Sequence, residues 1–434
     1  MGRLVFEVTL KILAGLLGVT FASMAFAQNL QQSVLIALSQ YPTILAAQAR
    51  QNAAESDIGR AQSAHWPQVA WSGTQSTYNA GNVPNNWIQS PTVSLNVWSG
   101  WRIESDVERS RSLADAGKHQ QRITRDDVAL LATEGYQNWA RSLELVRLAR
   151  KNTDEHRRIR ESIYEMTLID QGRRIDLDQA EVRFENASLS LQQREAELMI
   201  ATQRLTRMLM GRLPQAPEGL DFKVTRVPAS AEQALTDIND THPKIAYQKS
   251  QIEAARAGVV NARSQHSPTV NVTYGKQVYQ GSGQGDYVAQ LNVQIPIFTG
   301  GMAVAATDTA LAQLRAAEYD LQDVQLTLRE KLLSAWSEWK SAQSRAQLGN
   351  RQSKTAESLV HGYESQFQIG RRSLLDLLNV QNDLYTYSSN AVNAVFDERI
   401  AYARILAATG RLAHAYQSNG NQNPVDQPMT QIVR

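Results

Sequence analysis

The side chains that could do chemistry are few and scattered. Seven histidines occur (His65, His119, His156, His242, His266, His361 and His414), none in HExxH or other metal-ligand spacing. Each reads as a surface or packing residue. Cysteine is absent, which excludes a disulfide framework, thiol chemistry and a Cys-based zinc site, and also a lipid anchor on a mature N-terminal cysteine. "GSGQGD" (Gly281–Asp286) is glycine-rich, but no helix follows to present its N-terminus to a phosphate, so it reads as a hairpin loop. There is no G-x-S-x-G and no P-loop, so no catalytic residue, metal or cofactor is expected, and the chain does not read as an enzyme. One charged constellation does recur: G-R-R-x-x-x-D at Gly172–Asp178 and again at Gly370–Asp376. Glycine suits a left-handed helix stop, and an acidic residue in the first turns of the next helix favours its dipole. A second use follows if several chains meet about an axis. Asp178 and Asp376 with Arg174, Arg371 and Arg372 would then ring one narrow end, where Arg–Asp pairs hold an aperture shut or free aspartates select cations.

The elements that must position this constellation are written twice. A repeat with a period of about 200 residues aligns "LSQYPTILAAQ" (Leu38–Gln48) with "INDTHPKIAYQ" (Ile238–Gln248), and "HWPQV" (His65–Val69) with "HSPTV" (His266–Val270). It also aligns "VWSGWR" (Val97–Arg102) with "IFTGGM" (Ile297–Met302), "YQNWA" (Tyr136–Ala140) with "WSEWK" (Trp336–Lys340), and "RMLMGRL" (Arg207–Leu213) with "LAATGRL" (Leu406–Leu412). The matches keep their order, so the fold is expected to be duplicated: residues 28–212 and 230–416, a Pro-rich connector at 213–229 and a polar C-terminal tail at 417–434. Each copy reads as helix, hairpin, long helix, short turn, helix. The second long helix carries Leu311, Leu314, Leu321, Val324, Leu328, Leu332, Ala335 and Trp339 at the three-and-four spacing of one buried stripe. The first carries Val128, Leu131, Trp139, Leu143 and Val146. A long helix of about 68 residues spans about 100 Å, and the two shorter helices of its copy together reach nearly that length. The economical packing stacks them end to end beside it.

The hairpins alternate. Strands are expected at about 67–79, 90–98, 268–280 and 286–297. In the last, Tyr287, Ala289, Leu291, Val293, Ile295 and Ile297 oppose Gln290, Asn292 and Gln294; in the second, Val93, Leu95 and Val97 oppose Thr92, Ser94 and Asn96. The outgoing strand of the first hairpin fits this pattern poorly. Aromatic residues stand near the strand ends: Trp66, Trp71, Trp87, Trp98 and Trp101 in the first hairpin, Tyr274, Tyr279 and Tyr287 in the second. Apolar-out, polar-in strands with aromatic girdles are the pattern of an outer-membrane barrel, and such barrels need at least about eight strands. One chain offers too few, and open edges are not tolerated in lipid. Several chains must pool strands; three would supply about twelve.

Residues 1–27 read as an export signal, with Arg3 and Lys11, an apolar stretch at Ile12–Phe26 and a small-x-small cleavage site at Ala25–Ala27. No later apolar run is long enough for a membrane helix. With 44 Lys and Arg against 42 Asp and Glu, nothing suggests nucleic acid. The proline-centred first helices, the "PIFTGG" exit (Pro296–Gly301) and "GRRSLLDLLNVQNDLY" (Gly370–Tyr385) resemble the TolC family of outer-membrane channel-tunnels over essentially the whole mature chain. The resemblance implies a mainly α fold with a membrane β-barrel part, as a homotrimer whose periplasmic helical barrel docks an adaptor protein at the tips marked by Gly172 and Gly370. An inner-membrane ABC exporter or proton-driven pump would supply the energy. It further implies that Asp178 and Asp376 line the constriction and that Arg372 bridges to the adjacent coil. Two positions depart from the family pattern: Asn379 stands where some members carry a second aspartate, and Phe367 where they carry a tyrosine. "YESQFQIGRRSLLDLLNVQNDLY" (Tyr363–Tyr385) is similar to members serving type I secretion of large proteins such as adhesins. Multidrug or metal efflux is the alternative, and a structural periplasmic coiled-coil protein a remote one.

Overall fold

The computed structural model describes residues 29–76, 86–214, 230–236, 238, 242–278 and 285–420. The expected export signal, most of the connector, Tyr279 and most of the Gly281–Asp286 loop lie outside these residues, as does the side chain of Trp87. The first proline-centred helix is in fact two: α1 (Leu30–Gln40), capped where the Asn29 side chain accepts from the Gln32 N–H at 2.8 Å, and α2 (Pro42–Gln62). Tyr41 is extended between them, because a residue before proline avoids the helical region and proline tolerates the first helical position. The hairpin β1 (Gln68–Ser76) and β2 (Asn86–Trp98) leads into α3 (Arg102–Ile169), which turns into α4 (Arg174–Met208). The second copy repeats the plan with α5 (Ala231–Thr236), α6 (Pro243–Ser264), β3 (Thr269–Val278), β4 (Gly285–Gln294), α7 (Met302–Gln368) and α8 (Leu374–Ala408). The chain continues through α9 (Leu412–Gly420), so helix extends into the stretch expected to be tail.

The two long helices, 68 and 67 residues, each span about 100 Å. Both α2 and α4 pack on α3, while α6 and α8 pack between α3 and α7. This is the expected stacking of short helices beside long ones. It makes the protomer a wall four columns wide. The inner and outer columns are buried differently. On α7, Leu328, Leu332 and Ala335 are buried and Leu311, Leu314, Leu321, Val324 and Trp339 half-buried, the single stripe expected from the spacing. On α3, which has helices on both sides, Val128, Trp139 and Val146 are buried and Leu143 half-buried, but Leu131 is 44% exposed. The core positions at that height are Val128, Ala129, Ala132, Thr133 and Tyr136, and Leu131 falls on the opposite side of the helix.

Halfway along the wall α1, α3, α8 and α9 meet in a cluster that includes Val34, Ala37, Val128, Ala129, Ala132, Ala403, Leu412 and Tyr416. Polar bonds fix α9 there. The hydroxyls of Thr133 and Tyr416 lie 2.9 Å apart, and the buried Asp126 carboxylate accepts from the Ala413 N–H at 2.9 Å, capping α9 from a distant helix. Burial pushes Asp126 up to about 6, with Asp127 adding to the rise, while the Ala413 N–H, Lys244 and Arg125 oppose it.

Candidate functional site

The four strands form one antiparallel sheet in chain order. Opposite residues in such a sheet share a face, so the register sorts the side chains. Val69 pairs with Val93, Val93 with Tyr274 and Tyr274 with Ala289; Leu95 pairs with Val272, and Val272 with Leu291. The other face carries Ser94, Thr273 and Gln290 in one row, then Asn96, Asn271 and Asn292, with Asn96 donating to Asn271 at 2.7 Å. One face is mostly apolar, broken by Gln75, Gln89 and Lys276 towards the hairpin loops, and the other mostly polar, broken by Ala70 and Val288. The outgoing strand of the first hairpin joins this pattern better than its sequence alone indicated, placing Val69 and Trp71 on the apolar face.

Strict alternation would put Trp98 on the polar face. A β-bulge between Asn96 and Trp98 inserts Val97 as the extra residue, so Trp98 pairs with Val270 on the apolar face instead. Val97 is therefore not a regular member of that face. Trp71, Tyr274 and Tyr287 also lie on it, Tyr274 and Tyr287 stacked with ring centroids 5.7 Å apart. From the Val270 level to the Lys276–Tyr287 level is six residues along β3. At about 3.3 Å per residue that is about 20 Å, close to the ~25 Å apolar band of an outer-membrane barrel. Among the described residues β1 and β4 have one strand partner each, so both edges of the sheet are open.

At the far end of the wall the two G-R-R turns lie together. Ile163, Ala180, Leu374 and Leu378 form one buried cluster joining the α3–α4 tip to the α7–α8 tip. The turns themselves differ. Gly370 is left-handed (φ +75°), and the Arg371 N–H donates back to the Gln366 carbonyl at 2.8 Å, closing a Schellman-type stop. Gly172 is not left-handed. It lies in a short 3₁₀ turn where the Asp170 carboxylate accepts the Gly172 N–H at 3.0 Å, so a side chain does there what the glycine does in the second copy. The helix starts shift as a result. Asp376 lies in the first turn of α8, where the Ser373 hydroxyl accepts its N–H, whereas in α4 the first-turn acid is Asp176 and Asp178 lies two residues further in, exposed.

Arg372 is engaged inside its own chain. Its Nε donates to Gln366 Oε1 at 3.0 Å, its guanidinium lies 4.4 Å over the Tyr363 ring, and one nitrogen is 3.9 Å from the Asp376 carboxylate. Arg371 and Arg174 are exposed. The link between the two coils of the protomer comes from residues that spacing did not single out. Arg183 on α4 donates to Asn379 Oδ1 on α8 at 3.2 Å, and the Ser190 and Tyr385 hydroxyls lie 3.1 Å apart. Asn379, the departure noted in the sequence, is therefore an acceptor for an arginine. Phe367 packs against the apolar tip cluster, a role that needs no hydroxyl. Just above, His156 is buried and pushed down to about 4, by burial first and by the Arg183 charge second. Among the described residues no group of three or more His, Asp or Glu is placed to hold a metal ion.

Known proteins share this arrangement. Residues 234–411 match the family model described as Outer membrane efflux protein. The chain is 25% identical over 372 residues to the outer membrane efflux protein BepC of Brucella suis biovar 1, covering 82% of this chain and 80% of that one. It is 24% identical over 285 residues to the alkaline protease secretion protein AprF of Pseudomonas aeruginosa, covering 63% and 58%. The crystal structure of CusC aligns over 88% of this chain and 92% of that one with a TM-score of 0.76 at 18% identity, a likeness of fold. A sheet with one largely apolar face at one end of a hundred-ångström helical wall, together with these relatives, leads to one conclusion: the chain has the fold of the outer membrane efflux channels of the TolC family, and its residues 234–411 match that family's model.

Proposed function

We propose that three copies close into a twelve-stranded barrel on a helical tunnel and that the tunnel exports a large protein by type I secretion. The observation that carries the trimer is the matched pair of open edges. The sheet ends in β1 and β4, and the wall ends in the α2–α4 column on the same side as β1 and in α7 on the same side as β4. Both helical edges carry exposed apolar residues at heptad spacing, Ile175, Val182 and Leu189 on α4 and Tyr319, Leu326 and Leu333 on α7. Such stripes are unfinished coiled-coil seams. A second and third copy would cover them and pair β4 with the next β1, leaving no edge in lipid.

In this assembly the apolar face meets lipid and the polar face lines a water-filled pore. The tips converge at the periplasmic end, where Asp178, Asp376, Arg174, Arg371 and Arg372 would surround the constriction. Leu168, Ile169, Ile369 and Leu375 stand exposed beside the turns at Gly172 and Gly370, an apolar surface suited to the helical tips of an adaptor. An inner-membrane ABC exporter would drive the cargo. The Tyr363–Tyr385 resemblance and the similarity to AprF, whose name describes protease secretion, support a protein cargo. Efflux of small molecules or metals is the second reading, supported by the similarity to BepC.

Two measurements test this. The protein extracted from outer membranes should migrate as a heat-modifiable trimer; a water-soluble monomer would end the barrel reading. Deleting the gene should remove one large protein from the culture supernatant. A deletion that changes only small-molecule or metal susceptibility would reject type I secretion in favour of efflux.

A further inference from the structure

Where α1, α2, α3 and α9 meet, they leave an open groove of about 620 Å³. Its walls are largely aliphatic. Leu35 and Ile36 on α1 are half-buried, Ile44 on α2 is buried, and Leu45 beside it is 57% exposed. This is apolar surface that a short segment of chain would remove from water.

The groove also holds a charge. Arg125 of α3 lines it and is half-buried, yet among the described residues its guanidinium has neither an ion pair nor a hydrogen-bond acceptor. The adjacent Asp126 is committed elsewhere, to the Ala413 N–H. A guanidinium drawn partly out of water is best satisfied by a carboxylate, which it can hold through two parallel hydrogen bonds. The fitting occupant therefore carries aliphatic side chains and an acid among them.

Such a segment begins at the groove itself. Gln31 Nε2 donates to the Tyr416 carbonyl at 3.0 Å, which holds α9 against the start of α1, and the next residue, Gln417, lines the groove. After α9 ends at Gly420 the sequence continues "NQNPVDQPMTQIVR" (residues 421–434), which lies outside the described residues. Its one acidic side chain is Asp426, between Val425 and Met429, and Pro424 and Pro428 disfavour helix on either side of it. The six residues from Gly420 to Asp426 can reach up to about 20 Å, ample for a groove that starts at Gln417. We infer that residues 424–429 dock in this groove of their own chain, with Val425 and Met429 against Leu35, Ile36 and Leu45 and with Asp426 paired to Arg125. The segment then straps α9 to α1 and α2. This docking depends on neither the trimer nor the cargo.

The absence of native cysteine makes the test direct. Leu45→Cys and Val425→Cys are combined in the full-length protein, the purified assembly is oxidised with copper–phenanthroline, and free thiols are then labelled with a maleimide-linked polymer. Most chains should escape labelling and run at monomer mass on a denaturing, non-reducing gel. Disulfide-linked dimers would place another copy in the groove and overturn the inference. Full labelling of both cysteines would overturn it too, whether the groove is empty or filled by residues of the connector. A control pairs Val425→Cys with His414→Cys, an exposed position on α9 outside the groove. A merely tethered segment would reach both sites, so equal disulfide yields would refute docking. Two changes outside the packed core test the charge. Asp426→Lys should cut the yield at position 45 severalfold while Asp426→Glu preserves it, and a yield indifferent to Asp426→Lys would refute the pairing with Arg125 on which the docking rests.

Discussion

Replacing Asp126 by asparagine should remove a pH dependence whose size and sign can be worked out. The carboxylate is buried between α3 and α9 and is pushed from 3.8 to about 6. That difference of about two pH units, at 1.36 kcal/mol each, is on the order of 3 kcal/mol per protomer. Because the folded value lies above the unfolded one, the native state holds the proton more tightly. The favourable contribution is complete below about pH 4 and is lost as the pH rises through 6. His156 and His242, each pushed down to about 4 by burial, act in the opposite sense, since their folded values lie below the unfolded one and stability falls as the pH drops from 6.5 towards 4. The raw profile of the parent protein therefore blends opposing slopes. The difference between parent and Asp126→Asn does not, because the histidines and all other groups cancel. Asparagine keeps an oxygen for the Ala413 N–H, and any penalty for its buried amide is independent of pH. Thermal unfolding of the purified assembly from pH 4 to pH 8, at one scan rate, should show the parent losing several degrees relative to the variant as the pH rises, most of it between pH 4 and pH 7. Parallel curves would refute the reasoning and mean that the Asp126 carboxylate is as well solvated folded as unfolded.

Other consequences can be checked separately. Arg183→Ala removes the bond to Asn379 between α4 and α8, so single-channel conductance in planar bilayers should rise with the assembly intact; an unchanged conductance would show that this bond does not restrain the tips. Arg372→Ser should likewise raise conductance if the arginine also reaches an acid across the chain boundary, whereas no change would confine it to bracing its own turn through Gln366 and Tyr363. Gly100→Ala and Gly300→Ala impose the same left-handed strain, about 1 kcal/mol or more, but only the first meets a neighbour, Ser267, at 2.2 Å. Gly100→Ala should therefore lower the thermal midpoint and the outer-membrane yield further than Gly300→Ala, and equal losses would mean that the α6–β3 turn yields freely.

Much of this architecture was legible because its periods are long and repeated. A stripe sustained from Leu311 to Trp339 has one helical solution, and a duplicated helix–hairpin–helix unit constrains each copy by the other. The tips were legible only in part. The G-R-R motif located both turns, yet Gly172 and Gly370 stop their helices by different means, because Asp170 can reach the Gly172 N–H and so removes the need for a left-handed residue. The coil-to-coil bonds of Arg183 and Ser190 were not legible, since partners 196 and 195 residues apart leave no local spacing.

By itself the sequence determined periodicity: which segments are helix or strand, which face of each is apolar, and that the strands are too few to close alone. Tertiary structure decided what depends on register and on contacts between distant segments. A single extra residue, Val97, turned Trp98 to the apolar face, and the neighbours on both sides of α3 decided which of its stripes are core. The physical reason is that periodicity is encoded locally by backbone geometry, whereas register and pairing are set by the free energy of surfaces that meet only once the chain has folded.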